Sequence, residues 1–117
     1  MEKSVWLSYD LGVMGDYPGL YKWLDNKNAV ECGKSVAFFN ESVPDSTSDE
    51  QFLQILEKDI KDNVQVKPGN RFYIVWQRKG ENGKRVMRGS FIMGKRMASP
   101  WEGYGDEKGA VNDDGIE

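Results

Sequence analysis

The sequence predicts an α+β fold, in which helices cover one face of an antiparallel sheet. Three observations predict it. Five short runs are rich in β-branched and aromatic residues or alternate with the period of a strand, and two others place apolar residues at helical spacing behind capping residues. These runs follow one another as strand, helix, strand, strand, helix, strand, strand. With 117 residues the chain suits one core, since domains commonly hold roughly 100–150 residues.

The first strand is Ser4 to Leu11, where Val5, Leu7, Tyr9 and Leu11 alternate with Trp6, Ser8 and Asp10. Large apolar groups on both faces near its start mark a central strand. Gly12 to Asp16 is a loop, and Asp16 is an N-cap ahead of Tyr17-Pro18-Gly19, where proline suits a first helical turn. Leu20, Tyr21, Trp23 and Leu24 supply that helix with an apolar stripe, and Asp25 to Asn28 ends it. Ala29 to Cys32 and Ser35 to Phe39 are two short strands around Gly33-Lys34, or one longer bulged strand. Ser48-Asp-Glu-Gln51 is a capping box before the stripe Phe52, Leu53, Ile55, Leu56 and Ile60, whose opposite face carries Glu57, Lys58, Lys61 and Asp62. After Lys67-Pro-Gly-Asn70 comes the strand Phe72 to Trp76, and Asn82-Gly83 signals a hairpin into Val86 to Met93. Pro100 to Tyr104 can still dock on the domain. The domain is expected over 1–104, with 105–117 a disordered acidic tail, because that stretch is rich in Gly, Asp and Glu and lacks periodicity.

Charge is distributed unevenly. The whole chain carries a formal −3, yet residues 70–96 hold eight cations against Glu81 alone, a formal +7. Residues 1–69 and 97–117 each carry −5. A polyanionic partner is therefore conceivable on one element of an acidic protein. Arg78, Lys79, Lys84, Arg85 and Arg88, on the hairpin and its flanks, are the candidate nucleic-acid contacts, and Tyr73, Trp76 and Phe91 interleave with them as candidate stacking groups. The same charges also suit an edge strand that must avoid pairing with other sheets. A third option is that the acidic tail, or an acidic patch of a protein partner, meets the hairpin.

The chain has no histidine, and Cys32 is its one cysteine. These absences exclude Ser–His and Cys–His catalysis within one chain, an intrachain disulfide and a cysteine-pair zinc site. Any intrinsic enzyme activity must rest on carboxylates, tyrosines, lysines or a hard cation such as Mg²⁺. Gly12 and Gly15 lack the lysine of a P-loop and the three-glycine dinucleotide fingerprint. Tyr17, Tyr21 and Trp23 are expected to pack on the sheet. No run approaches the roughly 18 apolar residues of a membrane span, and the amino-terminal residues have no signal-peptide apolar region, so a cytoplasmic protein is expected.

The first six elements make the βαββαβ order of a ferredoxin-like fold, to which a last strand adds a hairpin. The strand ending Ser8-Tyr9-Asp10-Leu11, the helix opening Gly15-Asp16-Tyr17-Pro18-Gly19-Leu20-Tyr21 and the strand Ser35-Val36-Ala37-Phe38 resemble the small CRISPR-associated Cas-two-type proteins and their SinR-like relatives. The resemblance covers residues 4–78. It implies a homodimer formed through sheet edges, and either a metal-dependent nuclease or an adaptor that holds duplex DNA. It also makes Asp10 the counterpart of the family's metal-binding, catalytic aspartate, with Mg²⁺ held across a two-fold axis. On the residues alone, Asp10 reads first as a strand-end cap of the Gly12 loop and only second as a metal ligand. The reading favoured by the sequence is nucleic-acid association through the basic hairpin, with the Mg²⁺-dependent nuclease and a protein-interaction module as alternatives.

Overall fold

In the computed structural model, the elements follow as β1 (Glu2–Asp10), α1 (Tyr17–Asn26), β2 (Val30–Gly33), β3 (Val36–Ser42), α2 (Asp49–Asn63), β4 (Arg71–Lys79) and β5 (Arg85–Met93). The structure describes residues 1–79 and 82–106; the side chains of Arg78 and Lys79, and the tail from residue 107, lie outside the described residues. The five strands form one sheet in the order β2-β3-β1-β4-β5, and every neighbouring pair is antiparallel. β1 sits in the centre, as its two apolar faces require.

Alternation decides which side chains meet the helices. Val5 and Leu7 of β1, Ala37 and Phe39 of β3, and Phe72, Ile74 and Trp76 of β4 are buried with Leu20, Trp23 and Leu24 of α1 and Phe52, Leu56 and Ile60 of α2. Two ring contacts join the layers: Trp23 meets Phe39 edge to face at 5.6 Å, and Phe52 meets Trp76 at 5.8 Å. The Lys3 ammonium, on a residue only 5% exposed, lies 5.5 Å from the centre of the Phe52 ring, where the ring's negative face offsets part of its desolvation.

Both predicted caps form. At α2, the Ser48 side chain accepts from the Gln51 amide at 3.1 Å and the Gln51 side chain accepts from the Ser48 amide at 3.0 Å. At α1, Asp16 does more than cap. Its Oδ1 accepts from Gly19 N at 3.0 Å, and its Oδ2 accepts from Gln65 N, 49 residues away, at 2.8 Å. The amides of Gln65 and Gly19 hold this carboxyl below the usual carboxylate range. A carboxyl with a depressed folded pKa stabilises the fold above its unfolded value of about 4 and loses that contribution as pH falls through the folded value. Asp16→Asn is therefore expected to lower stability at neutral pH and to flatten the decline below about pH 4. Urea titrations at neutral and acid pH read this, and an undiminished acid decline in the variant would refute it.

Several expectations are corrected. Tyr21 is 54% exposed, because it stands about 100° around the helix from Leu20, outside the narrow stripe that Leu20, Trp23 and Leu24 already fill. Ile55 is likewise 39% exposed, since the buried line runs Phe52, Leu56, Ile60. Of the two readings of residues 29–39, the two short strands are the one that forms, with the turn at Lys34-Ser35 and a register irregularity between Glu31 and Gly33. Trp76 faces α2, buried, with its Nε1 donating to Asp49 Oδ1 at 3.1 Å, so it is not a stacking group. Trp101 and Tyr104 are 72% and 85% exposed; the segment folds into local turns, with Tyr104 N donating to Trp101 O, and its aromatic rings stay off the core.

Candidate nucleic-acid interface

The sheet face away from the helices is uncovered among the described residues, and the strand register determines what it displays. Trp6, Ser8 and Asp10 of β1 stand opposite Val75, Tyr73 and Arg71 of β4, which in turn stand opposite Gly89 and Phe91 of β5 at Val75 and Tyr73. Phe38 of β3 stands opposite Trp6. Directly opposed residues share a face, so this side carries two aromatic pairs: Trp6 with Phe38 at 4.9 Å between centroids, and Tyr73 with Phe91 at 4.8 Å, edge to face. All four rings are half-buried.

Beside the second pair lies a hollow of about 250 Å³ whose lining includes Ser8, Tyr9, Asp10, Arg71, Tyr73, Phe91 and Arg96. Arg96 follows β5, and its chain returns across the face so that the guanidinium carbon lies 5.8 Å from the Tyr73 centroid and 5.6 Å from that of Phe91. Such geometry is a cation–π contact. Arg71 Nη2 lies 3.3 Å from Asp10 Oδ2, an exposed pair of the kind worth about 0–1 kcal/mol, so Arg71 is readily released to another anion.

The basic hairpin does not present its charge on one surface. Arg85 shares the uncovered face, where its Nη1 donates to Gln77 Oε1 at 3.4 Å. Arg88 stands opposite Trp76 and is therefore on the helix side of the edge strand. Lys84 is exposed in the turn. For Arg78 and Lys79, the side chains fall outside the described residues. Tyr73 and Phe91, two of the three candidate stacking groups, come together; Arg96 lies over both and Arg71 lines the same hollow, and these two cations are counted within the +7 stretch but not among the candidate contacts. A signal for this grouping was present: Gly89 in the middle of a strand marks a close approach.

Asp10 occupies the position its cap reading requires, with Oδ1 accepting from Gly12 N at 3.1 Å. Its other oxygen meets Arg71. Among the described residues, no three or more Asp, Glu, His or Cys side chains converge as a metal site. One carboxylate already paired to an arginine does not fit Mg²⁺ within a single chain, since that ion needs several oxygen donors.

No helix among the described residues is long and apolar enough to cross a membrane. No protein-family model, curated protein or solved structure matches the chain.

Proposed function

We propose that the chain is a ferredoxin-like protein, similar to the Cas-two-type and SinR-like proteins, that works as a homodimer bound to nucleic acid. The carrying observation is the uncovered sheet face, where Arg71 and Arg96 line a hollow beside the half-buried Tyr73 and Phe91 rings and Arg85 lies farther along the same face. The strand order β2-β3-β1-β4-β5 with helices after β1 and β3 supports the ferredoxin-like assignment. Guanidinium groups suit phosphate oxygens, and their binding releases counterions.

The test is a binding titration with a labelled oligonucleotide at two salt concentrations. If three cations per chain neutralise phosphates of a single strand, affinity is expected to fall about 20-fold from about 50 to 200 mM salt, and further when two chains contribute. Replacing Lys84 and Arg85 with alanine is expected to weaken binding and flatten that dependence. An affinity indifferent to salt would sink the proposal.

A protein-interaction role is the second reading. Its specific support is the segment after β5, which exposes Met97, Trp101 and Tyr104 by 65%, 72% and 85%. Exposed aromatics clustered on a short segment fit a protein contact, and a second copy of the chain meets that description. Salt-independent capture of protein, with no oligonucleotide binding, would favour this module.

A further inference from the structure

The interior of β5 contains Gly89, a residue that weakens a strand unless something must come close to it. That something is Tyr73. Phe91, not Gly89, stands directly opposite Tyr73, so the tyrosine reaches Gly89 along the diagonal. A Cβ at Gly89 would overlap the Tyr73 hydroxyl and lie 3.1 Å from Cζ and 3.3 Å from Cε2. The ring therefore lies down across β5 rather than standing upright between strands. Phe91 abuts it at an interplanar angle of 72°, and the Arg96 guanidinium sits over both rings. Among the described residues, no carboxylate bonds Arg96.

We propose that Tyr73, laid over Gly89 and walled by Phe91, is a stacking platform for one unpaired nucleobase, with Arg96 clamping it and Arg71 meeting the neighbouring phosphate. This rests on the nucleic-acid reading above and adds a specificity to it: single strands are preferred to duplex. Bases inside a duplex are already stacked on their neighbours, whereas unpaired bases offer both π-faces to a ring and a guanidinium. The charge on this face agrees, because Arg85 lies along the same side of the sheet. The remaining charged group of the hollow is Asp10, which shares Arg71 with the incoming phosphate and keeps the Gly12 amide on its other oxygen.

The experiment compares the full chain with Tyr73→Leu, Tyr73→Phe and Gly89→Ala, using fluorescence anisotropy of one labelled oligonucleotide supplied as single-stranded RNA, single-stranded DNA and duplex. Tyr73→Leu is expected to weaken single-strand binding about tenfold while duplex binding stays within about twofold and the salt dependence is unchanged. Tyr73→Phe should retain the parent affinity, which shows that the ring plane and not the hydroxyl is used. Gly89→Ala removes no charge and no ring, and it should weaken single-strand binding by tilting Tyr73 off the strand. Equal losses for single strand and duplex would overturn the platform while leaving nucleic-acid association intact. Absence of salt-dependent binding in the parent would overturn both. A shift from dimer to monomer on sedimentation of Tyr73→Leu would mean that a second copy covers this face, and the platform would fall.

Discussion

Replacing Phe52 with alanine is expected to cost about 3–5 kcal/mol, a large part of the roughly 5–15 kcal/mol that holds a domain of this size together. Phe52 has no exposed surface and touches the Trp76 ring from α2, so truncation leaves a cavity between helix and sheet. It also strips the buried Lys3 ammonium of the ring beneath it, which moves the loss toward the upper end. In thermal denaturation followed by circular dichroism, the midpoint should fall by roughly 15–20 °C. Phe52→Leu keeps most of the volume and should cost no more than about half as much. A fall of less than about 5 °C for the alanine variant would show that the site collapses around the missing ring.

The second large effect concerns an ion network that links both helices to the sheet. Lys27, just past α1, lies 2.7 Å from Glu41 of β3 and 2.9 Å from Asp59 of α2, and Trp23 Nε1 donates to Asp59 at 2.9 Å. The Lys27 and Glu41 side chains are 19% and 12% exposed, so the pair is largely removed from water. Lys27→Met leaves both acids without their cation and should cost about 2 kcal/mol, less than the roughly 3–5 kcal/mol of a fully buried pair because Asp59 is partly solvated. Adding Glu41→Leu to that variant should recover part of the loss, since the stranded charge is then gone. No recovery in urea titrations would assign the loss to packing of the lysine stem instead.

The same network sets a pH range. Burial pushes the Lys27 pKa down, but the hydrogen bonds and charges of Glu41 and Asp59 outweigh it and raise the pKa above the ordinary lysine value. Burial pushes Asp59 up, and the hydrogen bonds from Trp23 and Lys27, with the Lys27 charge, bring it below the ordinary aspartate value. A raised lysine stabilises below its unfolded pKa of about 10.4 and is lost as pH rises through the folded value. A depressed aspartate stabilises above about 4 and is lost as pH falls through its own folded value. The network's contribution should therefore be flat across neutral pH.

Much of the candidate interface was readable from spacing, and part of it was misread there. Tyr73 and Trp76 are three residues apart, an odd separation that in a strand puts them on opposite faces. The same arithmetic separates Arg85 from Arg88. Grouping them by nearness in sequence merged two surfaces that the period of two already divides. The return of Arg96 over Tyr73 was not readable, because it depends on the turn after β5 and on the register shift between Phe72 and Tyr73 that leaves Ile92 outside the pairing.

Sequence by itself determined the elements, the two caps and which strand is central, since each depends on a few neighbouring residues and on the periods 2 and 3.6. Tertiary structure alone decided that Asp16 also ties down Gln65, that Lys27 joins Glu41 to Asp59, and that Arg96 meets Tyr73 and Phe91. Those contacts cross strands and helices distant in the chain, where the pairing register and the path of the loops choose the partners, and no local periodicity encodes that choice. The basic stretch is legible as charge from residue type and its division between two faces from the period of a strand; which of those faces meets the helices comes from packing.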